Sequence, residues 1–114
     1  MIIEGFSISG IQKTLSELDH KLESIGFFRW AWDYHQAHYD YKYEHPASGN
    51  VYFLRIKGVA VKGELENPHA MLKLEQPYIG KHLFPHGMDY EAEIPSEILN
   101  LAKNKLKEAE QKLS

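Results

Sequence analysis

Residues 39–57 read YDYKYEHPASGNVYFLRIK. Tyr39, Tyr41 and Tyr43 alternate with Asp40, Lys42 and Glu44, the period of two that a half-buried strand requires. His45-Pro46-Ala47-Ser48-Gly49-Asn50 is turn chemistry, and β-branched and aromatic residues resume at Val51. A four-residue loop over 46–49 sets His45 opposite Asn50. Tyr43 then opposes Tyr52, Tyr41 opposes Leu54 and Tyr39 opposes Ile56 on one face, while Asp40 meets Arg55 on the other. A slip of one residue breaks the apolar set and the charge pair together, so this register is the one expected.

Moving outward, Gly58 falls in mid-strand, where a bend or bulge is expected. The apolar phase blurs after it in Val59-Ala60-Val61, and a long bent strand of this kind curls a sheet. Glu64-Leu65-Glu66-Asn67-Pro68 then punctuates a pairing of 59–63 with 69–74. Upstream, Phe28, Trp30 and Trp32 alternate with Arg29, Ala31 and Asp33; between them and Tyr39 the aromatic phase passes from even to odd positions, by a turn or by a bulge around 34–37. Outside the strands the period changes to 3.6. Ile11, Leu15, Leu18, Leu22 and Ile25 draw one stripe of a helix over 10–25, with Ser9 as N-cap and Gly26-Phe27 as its ending. Ile98, Leu101, Ala102, Leu106, Ala109 and Leu113 do the same over 95–113, with Pro95 in the first turn and Lys103, Lys105, Lys107 and Lys112 around the outside. The fold class is therefore α+β: a single domain over 1–114, with a curved antiparallel sheet of four to five strands and the N- and C-terminal helices packed on one face.

Composition narrows the functional classes. The chain has 114 residues, 43% of them hydrophobic, a net charge of −3 and no cysteine. Disorder, disulfide frameworks, thiolate metal sites and cysteine nucleophiles are excluded. A nucleic-acid role is disfavoured, because phosphate binding needs clustered lysine and arginine. Residues 64–97 instead carry seven carboxylates against Lys73 and Lys81. No run approaches the ~20 apolar residues of a membrane span. The stretch MIIEGFSISG has neither a basic region nor a long apolar one, so the expected compartment is the cytoplasm.

Several strings are similar to those of a known family: Leu15 and Leu18-Asp19 with Gly26-Phe27, Trp32-Asp33-Tyr34, Tyr39-Asp40, Tyr52-Phe53-Leu54-Arg55, Gly58-Val59-Ala60-Val61, His69-Ala70, and above all Gly80-Lys81-His82-Leu83-Phe84-Pro85-His86-Gly87. Over nearly its whole length the chain resembles the YugN-like family. It departs at Leu83-Phe84, where tyrosine is expected in many relatives. The resemblance implies a compact α+β domain and adds no mechanism.

Chemistry is sparse. His82 and His86 have the HxxxH spacing, but Pro85 between them and the flanking Gly80 and Gly87 argue against the helix that would aim both at one metal. The loop 80–87 reads as a clasp, with Leu83 and Phe84 anchored on the core and the histidines bonded to backbone or to acids such as Asp89. Asp33 and His35 suggest an orienting acid and a base, yet the candidate nucleophile, Ser48 in a hairpin tip, has no G-x-S-x-G context. The aromatic set Phe28, Trp30, Trp32, Tyr34, Tyr39, Tyr41, Tyr43 and Tyr52 reads mainly as the sheet's core face. No catalytic, cofactor or metal residue is assigned. The expected binding surface is Trp32, Tyr34, Tyr39, Asp40, Arg55, His82 and His86. The functional expectation is a non-catalytic binding or interaction module that forms a homodimer, across a solvated hairpin face (His38, Asp40, Lys42 and Glu44 against Val51, Phe53, Arg55 and Lys57). The alternative is a small-ligand or metal-dependent enzyme centred on His69, His82 and His86.

Overall fold

In a computed structural model, the chain is described at residues 1–85 and 87–114, with backbone alone at Trp30 and Ala31. The elements in chain order are β1 (Gln12–Thr14), α1 (Leu15–Glu23), β2 (Phe28–Trp32), β3 (Gln36–Glu44), β4 (Val51–Lys62), β5 (Met71–Leu74), β6 (Tyr78–His82), β7 (Met88–Asp89) and α2 (Ser96–Leu113).

The antiparallel sheet is built on the long β4. One edge of β4 carries β3, in the register the sequence demands: Tyr43 opposite Tyr52, Tyr41 opposite Leu54, Asp40 opposite Arg55 and Tyr39 opposite Ile56. The His45 N–H closes the loop on the Asn50 carbonyl at 2.9 Å. The other edge of β4 is shared lengthwise. Its second half (Gly58 to Lys62) pairs with β5, and its first half (Tyr52 to Arg55) pairs with β6. Since β5 and β6 run in one direction, they are a single strand interrupted at 75–77. Pro77 has no N–H for a ladder, so the interruption falls where the sequence cannot pair. The path β1-β5-β4-β3-β2 carries five strands, and β6 and β7 bring the sheet to seven, more than the four to five expected.

Both helices cover the concave face. Leu15, Leu18 and Leu22 of α1 and Ile98, Ala102, Leu106, Ala109 and Leu113 of α2 share one core with Tyr39, Tyr52, Leu54, Ile56, Leu72, Leu74 and Ile79. The end of α1 is the expected one: the Phe27 N–H reaches the Leu22 carbonyl, the Gly26 N–H reaches Glu23, and Gly26 has a φ of +101°. A Cβ on Gly26 would also lie 2.6 Å from the Tyr41 ring. The start of α1 differs. Residues 12–14 are a strand, because β5 would otherwise leave an unpaired edge, and the N-cap is Thr14, whose hydroxyl accepts from the Glu17 N–H. Ser9 has no capping role.

Leu101, placed in the buried stripe of α2 by its spacing, is 50% exposed. Lys105 is not on the outside: its Nζ donates to the Ile25 carbonyl at 2.9 Å and lies 4.6 Å from the Tyr41 ring centroid. That places a cation at the C-terminal end of α1, where the helix dipole favours it. No helix among the described residues is long and apolar enough to cross a membrane.

Candidate functional site

The phase change after β2 has two causes. A register shift between Arg29 and Ala31 sends Phe28 to the face of Asp40 and sets Arg29 opposite Tyr39. A tight turn then follows, with Asp33 Oδ1 accepting from the His35 and Gln36 N–H groups at 2.7 and 3.0 Å. These bonds, the one to His35 foremost, hold the Asp33 carboxyl below its usual range. Asp33 is thus a turn former, not the orienting acid of a base. Ser48 is spent likewise in the hairpin tip, against His45 Nδ1 and the Asn50 N–H.

The aromatic residues therefore divide between two faces. Tyr39 and Tyr52 are buried in the core, and Tyr41 and Tyr43 pack against it. The Tyr39 hydroxyl donates to Asp19 Oδ1 at 2.7 Å, while Arg29 Nη2 stands 3.5 Å from Asp19 Oδ2. Burial and the Asp19 bond raise the Tyr39 phenol far above its ordinary value. Tyr39 fastens β3 to α1 and is not a surface residue. On the opposite face Phe28 packs edge-on against Phe53, with ring centroids 6.5 Å apart. Trp32 and Tyr34 stand exposed at the far end of the β2–β3 hairpin. The Trp30 side chain lies outside the described residues.

The outer face is not the solvated rim its alternation suggests. Val51 is buried, and so is Asp40. Asp40 meets Arg55 side-on, Nε to Oδ1 at 2.7 Å and Nη2 to Oδ2 at 2.8 Å. This bidentate fork holds the Arg55 guanidinium more firmly protonated than usual. The Arg55 side chain is only 12% exposed. Arg55 Nη1 also donates to the Tyr90 hydroxyl at 3.3 Å. Tyr90 reaches across the sheet because Gly80 of β6 has no side chain: a Cβ there would lie 2.8 Å from Tyr90 Cδ1 and 3.0 Å from Met88 Cε. Tyr78 stacks edge-on with Tyr90 at 5.3 Å; its phenol is raised mainly by burial, with the nearby Arg55 charge opposing.

Around the ion pair an open cleft of about 600 Å³ is lined by Asp40, Phe53, Arg55, His82, Pro85, Gly87, Met88 and Tyr90. Its aromatic wall continues outward, His82 being edge-on to Phe53 at 5.6 Å and to Phe84 at 4.6 Å. Leu83 and Phe84 do not anchor the loop on the core, since they are 42% and 74% exposed at the rim of the cleft. Gly80 is a mid-strand residue of β6 and not a loop hinge. His82 reaches aromatic rings and not Asp89, whose carboxylate accepts from the Glu91 N–H.

Of the residues expected to form a binding surface, the cleft gathers Asp40, Arg55 and His82. Tyr39, Trp32 and Tyr34 lie elsewhere, and His86 falls outside the described residues. His69 precedes β5, which pairs with β4 near Lys62, whereas His82 ends β6 beside Tyr52. Those β4 positions are roughly 33 Å apart along the strand, so His69 and His82 do not converge. Among the described residues no three histidine, aspartate or glutamate side chains form a group able to hold a metal. Sequence reasoning missed Met88 and Tyr90, for which the only local signal was Gly80 in a strand.

Comparison with known proteins gives a consistent picture. A sequence model of the YugN-like family matches residues 5–112. The chain is 34% identical over 99 residues to the uncharacterized protein YlbA of Bacillus subtilis, covering 84% of this chain and 81% of that one. It is 28% identical to the uncharacterized protein YugN of the same organism over 88 residues, 76% of this chain and 64% of that one. Among solved structures it is similar to the uncharacterized conserved protein YugN from Geobacillus kaustophilus. There the TM-score is 0.85 and the identity 33%, over 99% of this chain and 94% of the other.

Proposed function

The chain belongs to the YugN-like family, and from that premise we propose that it is a non-catalytic binding module whose small organic ligand enters the cleft over Asp40 and Arg55. One observation carries this reading: a bidentate ion pair is buried at the base of an open, apolar-walled space. A buried ion pair contributes little net stability compared with a well-packed apolar pair. Its benefit here is a guanidinium held in one orientation, facing a volume within the range of small-molecule sites. The reading is non-catalytic because both oxygens of the Asp40 carboxylate are committed to Arg55, and among the described residues no serine or threonine hydroxyl lines the cleft.

The test is a pooled small-molecule screen read by NMR, with the Met88 methyl and the Arg55 Nε–H as reporters. At least one compound is expected to shift both signals saturably. A screen in which every binder shifts signals only away from the cleft refutes the reading.

A second reading, self-association through the outer face, is favoured by the exposed Leu83 and Phe84 at the rim. Sedimentation at tens of micromolar then gives a dimer that Phe84→Ser dissociates, and a concentration-independent monomer counts against it.

A further inference from the structure

We infer that the cleft selects an uncharged, largely apolar molecule that presents two neighbouring hydrogen-bond acceptors. This rests on the cleft being a ligand site and specifies what it takes. A guanidinium has five N–H bonds; Arg55 gives two to Asp40 and one to Tyr90. The Tyr78 phenol takes a fourth, so one remains on an Nη. Because the Tyr90 hydroxyl accepts from Arg55, its own proton is free to donate outward. The Tyr78 phenol stands beside the guanidinium but outside the lining of the cleft. The one strong acceptor at the base, the Asp40 carboxylate, is buried and has both oxygens bonded to Arg55. Among the described residues, then, the base of the cleft offers the remaining Arg55 N–H and the Tyr90 O–H and asks for acceptors, with the His82 imidazole on the wall above.

Charge decides between acceptors of different kinds. Among the described lining residues Asp40 and Arg55 cancel, Phe53, Pro85, Gly87, Met88 and Tyr90 bring no charge, and His82 brings none in its neutral form. A carboxylate ligand would seat a second anion beside Asp40 in a partly desolvated space, leaving the cluster with an uncompensated negative charge. An ammonium would meet a row of donors. A neutral dicarbonyl ring, or a ring carrying a carbonyl next to a ring nitrogen, meets the donors without that cost, and its body contacts Phe53, Met88 and Pro85.

The experiment titrates the full chain with three matched probes, N-methylphthalimide, benzoate and benzylamine, following the Arg55 Nε–H and Met88 methyl signals. The expected result is saturable shifts with N-methylphthalimide and much weaker ones with the two ions. Tyr90→Phe, which keeps the ring and removes one donor, should weaken phthalimide binding about fivefold, the worth of one neutral hydrogen bond. Cleft shifts that are larger for benzoate or benzylamine than for the imide overturn this inference while leaving the binding-module reading intact. If none of the three probes moves the cleft signals and the pooled screen finds no other cleft binder, both fall. An unchanged affinity in Tyr90→Phe refutes the donor inventory by itself.

Discussion

Replacing Arg55 by methionine isolates the energetics of the outer face. The substitution keeps the length and apolar stem of the side chain but removes the cation, leaving a carboxylate whose side chain is only 1% exposed facing apolar neighbours. Breaking a buried pair from one side costs about 3–5 kcal/mol, because the stranded charge keeps its desolvation penalty and loses its partner. Unfolding entropy near 2.1 cal/mol/K per residue amounts, for this chain length, to about 0.24 kcal/mol/K, so the melting temperature should fall by about 12–20 °C. Asp40→Leu should cost less, since the stranded guanidinium retains some contact with water. The double variant Asp40→Leu/Arg55→Met should lie within about 1 kcal/mol of the parent, because it removes both charges and keeps the volume. Urea unfolding followed by tryptophan fluorescence, arranged as a double-mutant cycle, measures the coupling. A coupling below about 1 kcal/mol, the worth of an exposed pair, would refute the claim that this face is desolvated, and with it the support for a site there.

Three further outcomes are expected. The His38 imidazole has its pKa lowered from 6.5, first by burial and then by the Arg55 charge, and its Nδ1 is buried without a partner; the unfolded chain therefore binds more protons below that pH, stability falls as the solution is acidified through and below 6.5, and His38→Gln should flatten that part of the pH–stability profile. Gly80→Ala should cost about 1–3 kcal/mol by overpacking and displace Tyr90, seen as a changed Arg55 Nε–H signal; a silent substitution would show that Tyr90 does not depend on the bare strand. In α2, Leu106→Ala should cost about 2–5 kcal/mol whereas Leu101→Ala stays within about 0.5 kcal/mol, and equal losses in chemical denaturation would contradict the exposure of Leu101.

Two kinds of information separate in this molecule. Wherever one local constraint acted alone, the chain declared its structure. The 46–49 loop and the alternating tyrosines admit a single register of β3 on β4, because any slip would turn a buried face to water. Gly26-Phe27 ends α1 because little but glycine tolerates that φ. The family is legible in the same way, through the run from Gly80 to Gly87 and its companion strings. What the sequence could not determine depended on elements distant along the chain. Residues 12–14 fit a helical stripe and became a strand only because β5 offered an unpaired edge. Leu101 obeys the spacing of the stripe, yet its side chain is half exposed while Tyr43 of β3 reaches only its carbonyl. Asp40 alternates with tyrosines as a solvent residue would, yet it is buried, since β6 pairs with β4 at Arg55 and Gly80 lets Tyr90 lie across that arginine. Periodicity reports which side of a strand a residue occupies; whether that side meets water is decided by what the rest of the chain lays over it.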